Sequence, residues 1–180
     1  QEAGPWAHWH LRTDEDRIRF HGHEGVGADM ARAIAKRLKL SSGLTDAVAT
    51  LIADHLRLDP IKQMKLATLK RLLRRDDIED LLALHKADCL GSHGSLEFYD
   101  IARAKQADFA SEEATASLRP EPLLDGVDLI ALGYTPGRLF KEILYAVEEE
   151  QLEGNLKDKE AAKALVLQRW KKEGLKLAVK

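Results

Sequence analysis

The stretch "EGVGADMARAIAKRLKLSSGLTDAVATLIADHL", residues 24–56, decides the fold class. Its apolar residues recur every three or four positions and never alternate strictly, which is the period of a helix and not of a strand. The first half predicts a helix from about Glu24 to Lys39, with Val26, Met30, Ile34 and Leu38 forming one buried stripe. Ser41 and Ser42 then offer side-chain oxygens to cap a second helix, whose stripe is Leu44, Val48, Leu51, Ile52 and Leu56.

The same period continues down the chain. Asp59 is placed to cap a third helix with Pro60 in its first position, where a missing N–H costs nothing. Fourth and fifth helices are predicted from Asp77 to Leu90 and from Leu96 to about Ala110. Only "RIRF", residues 17–20, looks strand-like, and a loop or short extended segment is expected there. The predicted class is all-α, a helical bundle followed by a small three-helix tail.

A chain of 180 residues is long enough to bury a proper core. The single cysteine, Cys89, excludes an internal disulfide framework and agrees with a reducing compartment. No apolar run is long enough to cross a membrane and no basic leader opens the sequence, so a cytoplasmic location is expected. The formal net charge of −2 hides a strongly uneven distribution. Residues 57–75 carry seven basic side chains against Asp59, and residues 157–180 carry eight against Asp158, Glu160 and Glu173. Acidic blocks at Asp76, Asp77, Glu79, Asp80 and at Glu148, Glu149, Glu150 compensate. Such polarity suits a surface that tracks phosphates, and equally a set of solvated helix faces.

"SEEATASLRPEPLLDG", residues 111–126, has two prolines and no apolar period, and marks a boundary between a bundle at 1–115 and a tail at 116–180. Beyond it the sequence predicts a short helix capped by Asp125, a long helix ending at Gly154, and a basic final helix. The turn "LGYTPGRLF", residues 132–140, joins the first two. Gly133 tolerates positive φ, while Gly137 and Arg138 open the next helix at the positive end of its dipole. Those backbone N–H groups and the Arg138 guanidinium could hold a phosphate, or the turn could be an ordinary helical hairpin.

Taken in order, "RIRFHGHEGVGA", "LLALHKADCLGSHG", "GVDLIALGYTPGRLFKEIL" and "EEEQLEGNLKDKEAA" resemble the C-terminal part of bacterial tRNA nucleotidyltransferases and poly(A) polymerases of the HD-containing kind. The resemblance runs from about Arg17 to Trp170. It implies an HD-like helical body, incomplete at its N-terminus, followed by a tail that holds RNA. In that family a separate head transfers the nucleotides, using paired carboxylates on a sheet to hold two metals. Asp14 and Asp16, and Glu15, Asp16 and Arg19, match fragments of the head's patterns, but they crowd into one polar turn and read as coincidence. No transferase site is expected here, and a separate or upstream head would have to supply it.

The resemblance also implies a divalent metal site with ligands at His23, at His55 with neighbouring Asp54, and at Asp88. The His-Asp pair that should precede them is missing, since no such dipeptide occurs and the matching place holds Gln1 and Glu2. The three positions are therefore expected to converge either as a metal site or as a vestige whose histidines cap helices and hydrogen-bond. His21, His85 and His93 are expected in turns or at the surface, and His8 and His10 in loop packing.

Three functions follow. The first is a module binding tRNA or other structured RNA, with Gly137, Arg138, Lys163 and Arg169 on the phosphates. The second is a metal-dependent phosphohydrolase of the HD class, acting on phosphomonoesters or 2′,3′-cyclic phosphates. The third is a helical interaction domain using the acidic face at 142–153 or the basic final helix.

Overall fold

The computed structural model describes residues 11–14, 17–20, 22–110 and 118–170. "RIRF" is extended: β2 (Arg17–Phe20) pairs antiparallel with β1 (Leu11–Asp14), with Leu11 opposite Phe20 and Asp14 opposite Arg17. The remaining long elements among the described residues are helices, and the fold is all-α beside this one hairpin. They are α1 (His23–Arg37), α2 (Ser42–Asp54), α3 (Leu66–Leu73), α4 (Ile78–Ser92), α5 (Glu97–Asp108), α6 (Gly126–Ala131), α7 (Arg138–Leu152) and α8 (Lys159–Arg169). None of them is long and apolar enough to cross a membrane.

Two compact units form, Gln1–Pro60 with Asp77–Asp100 and Ile61–Asp76 with Ile101–Lys180. In the first, α1 and α2 make an antiparallel pair whose seam differs from the expected one. The stripe Val26, Met30, Ile34 and Leu38 lies outside, 36% to 59% exposed, and Leu44 and Val48 of α2 are exposed as well. The buried residues are Ala28 and Ala35 of α1 and Ala49 of α2. Size is the reason. A Cβ on Gly27 would stand 3.1 Å from the Ile52 side chain, so the two backbones approach as only small residues allow. At 100° per residue Ala28 sits opposite both Val26 and Met30, and burying the small side turns the large side out. Ile34→Ser is accordingly expected to cost under about 1 kcal/mol, whereas Ala49→Leu should cost about 1–3 kcal/mol by overfilling the seam. Urea denaturation of both variants checks this, and the reverse ranking would restore the expected stripe.

The local caps fall largely as expected. Ser41 Oγ accepts from the Leu44 N–H at 3.3 Å, and Asp125 and Asp128 form a reciprocal capping box on α6. The third helix departs from expectation. Asp59 and Pro60 lie between two 3₁₀ turns, His55–Leu58 and Ile61–Gln63, and α3 starts only at Leu66. Leu58 and Ile61 are buried in those turns. Lys65 precedes the helix without a capping side chain, and the Glu153 carboxylate accepts from the Ala67 N–H at 2.8 Å instead. A cap supplied 86 positions away leaves no mark in the local sequence.

In the second unit Leu124, Leu129, Tyr134, Ile143, Val147, Ala162, Val166 and Trp170 form the core. Helix α3 belongs to this unit and is tied to α7 at both ends. While Glu153 caps the start of α3, buried Lys70 donates from Nζ to the Leu152 carbonyl at the end of α7, at 2.8 Å. Burial lowers the Lys70 pKa, and the Glu153 carboxylate opposes that shift. Arg71 and Arg74 donate to Glu148, and Lys65 approaches Glu149 at 3.5 Å. The single cut expected at 115/116 therefore does not describe the compact units, because this charge pairing draws residues 61–76 to the tail helices. It also neutralises much of the basic block at 57–75 and engages part of the acidic face at 142–153.

Candidate nucleic-acid interface and histidine cluster

Gly22, at φ 82°, turns the chain into α1 and sets His23 in the first helical position. His55 opens the 3₁₀ turn that follows α2 and is 6% exposed. The two Nε2 atoms stand 3.0 Å apart. His55 Nδ1 lies 2.6 Å from the Ile52 carbonyl, which can only accept, so Nδ1 carries the proton and Nε2 offers a lone pair. His23 Nε2–H then donates to it.

Behind this pair stands His85, 2% exposed. Its Nδ1 donates to the His55 carbonyl at 3.0 Å, and its Nε2 faces Cys89 Sγ at 3.5 Å. Burial and the Asp88 and Asp59 carboxylates raise the Cys89 pKa, which keeps the thiol a donor. His23 Nδ1 faces the Glu24 carboxylate at 3.7 Å, so each imidazole of the cluster has polar partners within the protein.

Of the expected group His23, His55 and Asp88, the structure brings the two histidines together. The two histidines touch, but Asp88 is exposed on α4, and no three His, Cys, Asp or Glu side chains among the described residues are grouped to hold a metal ion. Asp54 lies 3.7 Å from Arg57. Two imidazoles already hydrogen-bonded to each other do not make the preorganised set that a divalent metal needs, so this donor set does not fit the metal. The expectation for His85 is corrected: it is a core residue. Ile78, Leu81, Leu82, His85 and Cys89 share the buried side of α4 at three- and four-residue spacing, a signal present in the sequence. His93 ends α4, where its Nδ1 accepts from the Ser95 N–H. His8, His10 and His21 lie outside the described residues, as do Glu15 and Asp16.

The second candidate site begins at the α6–α7 turn. Gly133, at φ 91°, ends α6 in the left-handed region, with Tyr134 N–H bonded to the Leu129 carbonyl and Gly133 N–H to that of Ile130. Buried Tyr134 pins the turn by donating from its hydroxyl to the Val166 carbonyl at 3.3 Å. Gly137 then precedes α7, and its carbonyl accepts from the Phe140 N–H at 3.1 Å, which leaves the Arg138 and Leu139 N–H groups as the donors the helix cannot use. Arg138 is exposed in that turn. Lys141, which the sequence reading missed, is exposed one turn further on the same side. Neither cation has a hydrogen-bond or ion-pair partner among the described residues. Lys163 is instead paired with Glu160 at 2.7 Å, and Arg169 lies over the Trp170 ring at 5.1 Å.

An A-adding tRNA nucleotidyltransferase of Deinococcus radiodurans is 34% identical over 168 residues, 89% of this chain and 37% of that protein. A CC-adding tRNA nucleotidyltransferase of Thermus thermophilus is 33% identical over 154 residues, 84% of this chain and 34% of that protein. The chain belongs to the tRNA nucleotidyltransferase family. A multifunctional CCA protein of Hahella chejuensis, 28% identical over 142 residues, covers 74% of the chain. The chain spans about a third of the length of the curated relatives it matches. No family model and no solved structure matches it.

Proposed function

We propose that this member of the family is an RNA-binding module, corresponding to the C-terminal body and tail of a tRNA nucleotidyltransferase, and that nucleotide transfer belongs to a head outside these residues. The single observation that carries the reading is the start of α7, where Arg138 and, one turn on, Lys141 stand exposed near the Arg138 and Leu139 N–H groups that the helix cannot use. Among the described residues of the second unit Arg71, Arg74 and Lys65 are occupied by Glu148 and Glu149, so that basic block is less open to a phosphate backbone than Arg138 and Lys141. Binding of this kind grips A-form RNA by its phosphates and shape and is nearly indifferent to sequence.

Arg138→Ala is expected to weaken tRNA binding by roughly 1 kcal/mol and to reduce the salt dependence by about one counterion, while Glu142→Ala leaves binding unchanged or slightly tighter. Lys163 and Arg169 rank below Arg138, because Glu160 already neutralises the first and Trp170 stacks on the second. Gel shifts with tRNA at two salt concentrations provide the test. Unaltered affinity in an Arg138, Lys163, Arg169 triple alanine variant that keeps its helical circular dichroism would remove this surface from RNA binding.

A further inference from the structure

Between α7 and the segment that leads into α6, the second unit holds a cleft of about 680 Å³. Pro120 and Pro122 form one wall, and Phe140, Leu144 and Tyr145 of α7 form the other. This is the size and the apolar character of a small-molecule site. The walls are held in place. Gln151 donates to the Glu121 carbonyl at 2.8 Å, Arg119 pairs with Asp76 at 2.9 Å, and Leu124 is anchored in the core. Tyr145 is braced by the Arg71 guanidinium, 4.1 Å from its ring centroid.

The charges around the cleft indicate what enters it. Asp125 is consumed by the α6 cap and Glu148 by Arg71 and Arg74. Lys141 is left as a lining cation without an internal partner among the described residues, and Arg138 lies one turn away on the same helix. An apolar, aromatic-walled slot with a lysine at its rim suits a planar ring carrying a phosphate. RNA supplies such groups wherever a base leaves its stack, and proteins receive them on aromatic side chains. We infer that the cleft takes one unstacked nucleobase of a structured RNA, with the adjoining phosphate on Lys141. The inference rests on the RNA-binding reading and adds to it a preference for unpaired nucleotides.

The test compares two RNAs of equal length and salt, a stem with an unpaired loop and a fully paired blunt duplex, by fluorescence anisotropy with the full chain. The loop RNA should bind roughly tenfold tighter. A Cβ on Gly126 would sit 3.8 Å from the Phe140 ring, so Gly126→Leu fills the cleft without a positive-φ penalty. It should abolish the preference and leave duplex binding intact. Lys141→Gln, at an exposed position, should reduce the preference several-fold and serves if the first variant folds poorly. Equal binding of both RNAs to the wild-type chain, or a preference that survives both substitutions, overturns the base slot while RNA binding stands. Failure of both RNAs to bind overturns the RNA-binding reading and the slot together.

Discussion

Replacing Ile143 by alanine is expected to destabilise the second unit by about 4 kcal/mol. Ile143 is fully buried in the middle of α7, within the cluster that joins α6, α7 and α8 through Leu129, Val147, Ala162 and Val166. The variant loses the transfer free energy of the removed carbons, and the cavity left behind adds to it, because neighbours on three short helices can relax only partially. Urea denaturation should show the loss as a lowered midpoint with an unchanged slope. A loss below about 1 kcal/mol would mean that these helices do not share a packed core.

Glu148→Ala should cost roughly 2 kcal/mol, below the range for fully buried ion pairs because the site is partly solvated. Glu148 Oε2 accepts from Arg71 Nε at 3.0 Å and Nη2 at 2.9 Å, and Oε1 accepts from Arg74 Nη2 at 2.6 Å. Removing the carboxylate leaves two guanidinium groups, 18% and 27% exposed, close together without their shared counter-ion. The acid limb supplies an independent check. Burial pushes the Glu148 carboxyl upward, but the hydrogen bonds and charges of Arg74 and Arg71 outweigh it and hold the group below its ordinary value. The folded state therefore binds its proton less readily than the unfolded chain, whose glutamate titrates near pH 4.3. Its contribution is complete well above that pH and is lost as the pH falls through the folded pKa. Stability measured from pH 6 to pH 3 should fall less steeply in Glu148→Gln than in the wild type. Parallel curves would show that the bridge contributes nothing to folding.

The sequence by itself determined the helical class and most helix limits, because these rest on interactions within a few residues. Ser41 caps α2, Asp125 and Asp128 cap α6, and Gly133 ends α6 through local backbone geometry and hydrogen bonds that neighbours in the chain can specify. The exposed first turn of α7 was legible for the same reason, with Arg138 but not Lys141 singled out. Tertiary structure decided which face each helix buries. In α1 the large apolar side was the natural choice by periodicity, yet close contact between helices selected Ala28 and Ala35 and left Met30 and Ile34 exposed. It also decided that residues 61–76 join the tail helices, since the cap on α3 comes from Glu153 just beyond α7 and the counter-ion of Arg71 and Arg74 from α7 itself, more than seventy positions away. The histidines show both sides of this division. The likeness to the family singled out His23 and His55, but only the packed chain set their Nε2 atoms face to face, brought His85 behind them, and left Asp88 exposed. Sequence period fixes how a segment coils, whereas burial of a face depends on the shape of a neighbour that the segment does not contain.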